Sequence, residues 1–414
     1  SSLEAMKAAA EAQGLPITPN RLTPEVEDTF WFNKIGKGYP APRPKFRWCT
    51  ERLKIKPSNA FIRRVVKRHG EAILVLGIRK AESAARARVM ERHEQGRVRD
   101  RLSPNASLPN SLVYSPIEAW TNDEVWMFLM QMPNAWGYPN KDLLTMYQGA
   151  SADGECPLVV DTSTPSCGDS RFGCWTCTLV DKDKSMSAMI QNDEEKEWML
   201  PLLELRNELD IVDDKPLRDW RRMHGGITLF HDQPVHGPYT QEAREHWLRR
   251  VLEAQTWIRN EGPEAMREME LISLPELHEI RRIWVYEKHE IEDSLPGIYA
   301  AVTGDPFPGK PLTDQVALGA DDISILRDIC GDDPLHFEMT RSLLSVERRY
   351  RTMARRAGLW GEMEDVIRRS FYEGVEDASE RARDLSKARQ LTKGSAKASV
   401  LDVEADGAVG EGWS

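Results

Sequence analysis

The stretch between residues 59 and 94 limits the fold more than any other. Residues 59–69 carry Phe61, Ile62, Val65 and Val66 on one side, the spacing of an amphipathic helix, and Gly70 supplies the stop. Ala72-Ile73-Leu74-Val75-Leu76 follows as an unbroken apolar run, the pattern of a parallel strand covered on both faces. Gly77 ends the run, and residues 79–94 return to helical spacing. Helix, glycine, apolar strand, glycine, helix is the order of a doubly wound α/β sheet. Residues 112–114 read as another strand. Thr121-Asn122-Asp123-Glu124 reads as a capping box opening a helix that runs through Met130. Upstream, residues 3–13 read as a helix ending at Gly14, residues 18–22 as a strand, and residues 35–45 as a Gly/Pro/basic loop. An α/β domain is therefore expected over residues 1–150.

The remaining chain divides by composition. With 414 residues there is room for two or three domains. Residues 151–190 replace periodic apolar positions with Cys, Gly, Ser, Thr and Asp. Residues 191–385 are helical again: Trp247, Val251, Ala254 and Ile258 share one face, as do Leu343, Val346, Tyr350, Met353 and Ala357, and both stripes are expected to be core. The small, polar stretch 386–414 has the composition of a disordered tail. No apolar run approaches the ~18 residues of a membrane span, and nothing reads as a signal peptide, so a reducing, cytoplasmic setting is expected. The chain opens Ser1-Ser2-Leu3 rather than with Met, which suggests that further residues precede it.

The overall charge is −10, which taken alone argues against a nucleic-acid partner. Its distribution argues the other way. Between Ala41 and Arg101 there are eighteen Lys and Arg against six Asp and Glu, a local excess of twelve positive charges on an acidic protein. A polyanion, either DNA or a nucleotide, is the partner such a segment suits. A solvated helix face is the plain alternative.

Four of the six cysteines, Cys156, Cys167, Cys174 and Cys177, fall within 22 residues with the spacing C-x10-C-x6-C-x2-C. Thiolates gathered this way in a reducing compartment point to a metal. Zinc favours paired CxxC knuckles, of which only Cys174-Trp175-Thr176-Cys177 is one. A 4Fe-4S cluster takes one thiolate per iron and tolerates wide spacing. Cys330 ends an apolar helical stretch and is expected to be a buried core thiol. Cys49 lies among Arg47, Arg52 and Lys54, cations that would favour the thiolate of a nucleophile or sulfur carrier.

An anion site is expected beside the apolar strand. Lys54 and Lys56 precede Pro57, read here as the end of a strand-like piece. Arg79 follows the strand at 72–76, where open α/β sheets place their ligands, and Ser83 and Arg86 fall in the first turns of the next helix. Arg47, Lys54, Arg79, Ser83 and Arg86 are the candidate phosphate or sulfate ligands.

RWCTERLKIKP, VLGIRKAESAARA and SPIEAWTNDEVW resemble, in that order, motifs of the adenylyl-sulfate and phosphoadenylyl-sulfate reductase family of ATP-pyrophosphatase-like proteins. The segment SADGECPLVVDTSTPSCGDSRFGCWTCTLVDKDKSM is similar to that of the DndC-like branch, which serves DNA phosphorothioate modification. The likeness implies an adenine-nucleotide alpha-hydrolase-like sheet, an iron–sulfur segment and a helical C-terminal region. It further implies ATP with Mg²⁺ as cosubstrate, formation of AMP and pyrophosphate, and replacement of a non-bridging DNA oxygen by sulfur. The partners implied are DNA, a cysteine desulfurase and the other Dnd subunits, with no membrane. Cys156, Cys167, Cys174 and Cys177 match the four 4Fe-4S ligands, and Arg79, Ser83 and Arg86 match the nucleotide- or substrate-side motif. Cys49 matches the RWCT cysteine, a candidate sulfur relay.

One departure stands out. The family's Ser-Gly-Gly-x-Asp-Ser loop is nowhere in these 414 residues, and Gly225-Gly226 lies in HGGITLF, a different context. Without that loop this chain is expected to bind ATP poorly and not to hydrolyse it. Two other readings follow: a non-catalytic DNA-binding scaffold stapled by a structural metal, and an adenylyl-sulfate reductase-like enzyme. The second usually relies on a C-terminal Cys motif, and this tail has no Cys.

Overall fold

The structure, a computed structural model, describes residues 2–44, 46–149, 174–180, 182–309, 312, 320–351 and 353–387. The chain is an α/β protein, about 59% helical with a small mixed sheet. It forms two compact units. Unit 1 comprises residues 1–32, 41–211 and 250–276; unit 2 comprises residues 33–40, 212–249 and 277–414. Each is assembled from separate stretches, unlike the contiguous blocks that composition suggests.

In unit 1 three strands, β1 (Ala72–Val75), β2 (Leu102–Pro104) and β3 (Ser111–Tyr114), lie in the order β1-β3-β2. β1 runs parallel to β3, with Ala72 opposite Ser111 and Val75 opposite Tyr114; β2 runs antiparallel to β3. The helix Ala84–Gln95 lies in the crossover from β1 to β3, as the helix–strand–helix pattern predicts. The expectation that β1 is covered on both faces is overturned. Ala72 and Leu74 are half-buried, while Ile73 is 52% and Val75 59% exposed. β1 is the edge of a three-stranded sheet, so only one side of its pleat is covered. The residues on both sides are apolar, which hides the alternation from a reading of the sequence.

Residues 18–22 form no strand; Pro16, Pro19 and Pro24 punctuate that stretch, and proline has no N–H for a ladder. The strand-like piece before Pro57 is instead helical. Trp48–Thr50 is a short α turn, Glu51–Ile55 a π-helical turn, and Lys56–His69 an α-helix closed by Gly70 at φ +87°. The Lys56 N–H donates to Glu51 O, five residues back, and this widened turn sits immediately before Pro57. A proline there enters without the clash it would cause in a regular helix interior. The capping box at Thr121 is present: Glu124 N–H donates to Thr121 Oγ1 (3.2 Å) and Thr121 N–H to Glu124 Oε2 (2.7 Å). The core of unit 1 is rich in tryptophan. Phe30 stacks on Trp48 (5.4 Å), Trp31 lies 6.0 Å from Trp175, and Met186, Leu202 and Ile258 gather Trp175, Trp198 and Leu271 around them.

In unit 2 the helices Pro334–Arg351 and Leu359–Ser370 pack around Val346, Tyr350 and Val366. The apolar stripe predicted to reach Ala357 stops early, because the helix ends at Arg351 and Met353 is 45% exposed. Trp247, Val251, Ala254 and Ile258 are all buried, Trp247 counting with unit 2 and the other three with unit 1. Cys330 is half-buried rather than core: its helix buries Ile323 but leaves Ile325 and Ile329 exposed. Gly225 and Gly226 form a turn closed by Gly225 N–H to Arg222 O (2.8 Å) and lead into a hairpin, β4 (Leu229–Phe230) and β5 (Gln233–Pro234). That is not a strand-to-helix phosphate loop. Among the described residues no helix is long and apolar enough to cross a membrane. Cys156, Cys167, Lys45 and the tail from residue 388 lie outside the described residues.

Candidate functional site

The sequence separates Cys49 from the CWTC knuckle by more than a hundred residues; the fold of unit 1 brings them close. Cys49 sits in the Trp48–Thr50 turn, half-buried, and Trp48 anchors that turn against Phe30. Cys177 is 8% exposed, and its N–H donates to Cys174 O at 3.0 Å, which closes the knuckle. The two knuckle thiols share a hydrogen bond. That bond, then burial, then the nearness of Cys177 push the Cys174 thiol far up, while Lys54 pulls it the other way. Burial also pushes the Cys49 thiol up; hydrogen bonding to Thr50 offsets part of this, and Cys177 adds to it.

The expectation of a cation-activated Cys49 is therefore corrected. Two of the cations near it in sequence are engaged elsewhere: Arg52 (2.6 Å) and Lys56 (2.8 Å) both bind Asp28. Against its own partial burial, Lys56 and Arg52 hold the Asp28 carboxyl below the usual range. At neutral pH Cys49 is a sheltered, protonated thiol. Iodoacetamide is expected to modify it several-fold more slowly than an exposed thiol, with the rate rising as pH climbs into the alkaline range. Peptide mass mapping across a pH series checks this.

Arg206 sets the position of the knuckle, and no sequence motif marks it. It is 1% exposed; its Nε donates to Cys177 O (3.0 Å), and its Nη2 donates to Val180 O and to Asp210 Oδ2 (3.3 Å). Thr178 Oγ1 adds a bond to Pro42 O (2.7 Å), and Asp183 caps the helix that follows. Spacing does carry a signal: Leu202, Leu205, Arg206 and Leu209 share one helical face, so an arginine stands in an apolar stripe.

Two vicinal thiols that raise each other's pKa suit a metal, since ligation removes both protons and ends the repulsion. Cys174 and Cys177 fit half of a four-thiolate set. Among the described residues no group of three donors converges to hold an ion, so Cys49 neighbours the pair without joining it.

At the end of β1 the candidate anion ligands do come together, with a carboxylate between them. Arg79 is 9% exposed, its N–H donates to Glu82 Oε1 (3.2 Å), and Glu82 also pairs with Arg86. Ser83 caps the helix Ala84–Gln95 by accepting from Arg86 N–H (3.1 Å). Ser83 thus has a structural task, and Glu82 offsets the two arginines. Among the described residues Arg79 Nη1 remains buried without a hydrogen-bond partner.

The basic segment divides into engaged and open cations. Arg43 pairs with Asp210, Lys80 with Glu94 (2.6 Å) and Arg97 with Glu118 (2.8 Å). Arg47 and Lys54 are exposed, as are Arg63, Arg64, Lys67 and Arg68. The last four follow i, i+1, i+4, i+5 along the helix Lys56–His69, which contains no acidic residue, and none forms an ion pair among the described residues. No family model, no curated protein and no solved structure matches the chain.

Proposed function

We propose that this chain acts in DNA phosphorothioate modification as a subunit of the ATP-pyrophosphatase-like type, on an adenine-nucleotide alpha-hydrolase-like α/β domain. The observation that carries the reading is the meeting of Cys49, from the RWCT motif, with Cys174 and Cys177 in one unit that also bears an acid-free basic helix. Sulfur chemistry on a polyanion needs both, and the motif resemblance links them to one reaction.

A phosphodiester is a poor electrophile because its charge repels nucleophiles. In the proposed reaction a DNA phosphate oxygen attacks the α-phosphorus of ATP·Mg²⁺ and pyrophosphate leaves. A sulfur nucleophile derived from a cysteine desulfurase then attacks the DNA phosphorus, forming the P–S bond as AMP departs with the original oxygen. Arg63, Arg64, Lys67 and Arg68 hold the strand by its phosphates. Arg79 offers its unmet Nη1 donor to developing negative charge. Cys49 serves as the sulfur relay, sheltered from solvent until a donor arrives. A 4Fe-4S cluster on Cys156, Cys167, Cys174 and Cys177 would supply one-electron or sulfide chemistry when bound.

Glu82, lying between Arg79 and Arg86, favours a second reading: a DNA-binding scaffold whose metal only fixes the knuckle. Metal and acid-labile sulfide analysis of anaerobically purified protein separates the two. The expected result is about four iron and four sulfide per chain, with brown absorption lost in Cys174→Ser. About one zinc without sulfide would replace the enzyme reading with the scaffold.

A further inference from the structure

Unit 2 contains a second concentration of cations, unrelated to the thiols. Around a cavity of about 350 Å³ stand Arg221, Arg244 and Arg341, at 6%, 3% and 5% exposure, with Lys288 and Arg369 half-buried on its wall. The carboxylates that line it are already engaged. Asp219 (2.6 Å) and Glu338 (2.5 Å) hold Arg221, Glu290 holds Arg244, and Glu287 pairs with Arg282 (2.9 Å). Glu292 takes Arg341 Nη1 (2.8 Å), yet Arg341 Nε is buried with no hydrogen-bond partner. Lys288 and Arg369 form no ion pair among the described residues.

Helix-tying ion pairs explain Arg221, Arg244 and the Nη1 of Arg341. They leave Lys288, Arg369 and Arg341 Nε without a reason to share one cavity. The positive field there is felt by its neighbours. Burial and then Arg349, Arg369 and Arg341 push His289 down to about 4; burial and then Arg244 push Lys288 down to about 8. The backbone is also committed: His289 is held at φ +58°, unusual for a residue with a side chain. Gly225, at φ +77°, lies so close to Arg369 that an added methyl would come within 2.3 Å of its Cγ.

We propose that this cavity binds the phosphate group of a small phosphorylated molecule, with Lys288 and Arg369 as direct ligands and Arg341 Nε as a third donor. Guanidinium and ammonium donors in a desolvated site suit a phosphate oxyanion, and the lining cations repel a metal ion. The volume lies at the low end of small-molecule sites, ~300–1,000 Å³, large enough for a diphosphate and too small for a duplex.

Inorganic pyrophosphate is the probe, used with the full chain and read at Lys288 by lysine acylation and peptide mass mapping. Pyrophosphate is expected to slow acylation of Lys288 about tenfold while leaving the exposed Lys7 unaffected, and Arg369→Met to raise the concentration needed about tenfold, with Arg369→Lys nearer to the parent. If Lys288 is too sheltered to react, calorimetric titration of the parent and Lys288→Met replaces the labelling, with binding lost in the variant. Unchanged Lys288 acylation at saturating pyrophosphate, or identical heats in parent and Lys288→Met, overturns the assignment. Protection by a short duplex DNA but not by pyrophosphate overturns the small-ligand assignment as well.

Discussion

Replacing Arg206 by methionine is expected to destabilise unit 1 by about 3–5 kcal/mol, the scale for removing one partner of a buried charged network. The side chain is 1% exposed and bonds Cys177 O, Val180 O and Asp210. Methionine fills much of the volume but donates nothing, so two loop carbonyls lose their donor at roughly 1–3 kcal/mol each. Asp210 loses less, because Arg43 still pairs with it. Urea unfolding followed by tryptophan fluorescence measures the loss, since Trp31 and Trp175 lie in this core. The same substitution is expected to expose Cys174 and Cys177 to maleimide. Arg206→Lys, which can satisfy one carbonyl, should fall between. A change below about 1 kcal/mol with unaltered thiol reactivity would mean that the knuckle holds its shape unaided.

The second large effect concerns DNA. Replacing Arg63, Arg64, Lys67 and Arg68 together by glutamine is expected to reduce the slope of log K against log salt by about 3–4, at ~0.9 for each phosphate no longer neutralised. Between 50 and 200 mM salt the parent should then forfeit about a hundredfold more affinity than the variant. These side chains are exposed and form no ion pairs among the described residues, so stability should be nearly unchanged, which thermal unfolding can verify. A parallel substitution of Lys80 and Arg97, which are paired with Glu94 and Glu118, should move the slope little. Equal slopes for the parent and the quadruple variant would make the helix a solvated face and remove the support for a DNA substrate.

The sequence was informative where local physics decides and less so where partners decide. The capping box at Thr121, the glycine stop at Gly70, the strand near residue 112 and the buried faces of Trp247, Val251, Ala254 and Ile258 all follow from short-range spacing. The exposure of Ile73 and Val75 does not, because it depends on how many strands flank β1. Nor could spacing reveal that Glu82 stands between Arg79 and Arg86, or that Asp28 draws Arg52 and Lys56 away from Cys49. Counting cations identifies a basic segment; only the ion pairs tell which cations remain available. Arg206 was legible in principle, as a charge in an apolar stripe. The meeting of Cys49 with Cys174 and Cys177 was not, since no pattern in the chain records the approach of segments more than a hundred residues apart.

The π-helical turn at Glu51–Ile55 fixes an angular offset between two functions. One extra residue in a turn rotates everything beyond it by about 100° about the helix axis. Cys49 lies before that offset and the cations of Lys56–His69 lie after it. Removing one residue from Glu51–Ile55 would restore a regular helix and swing the basic face about a quarter turn away from the thiol while leaving every side chain chemically intact. The widened turn therefore behaves as a phase adjuster, and the alignment of sulfur with strand depends on the length of a five-residue stretch as much as on which residues fill it.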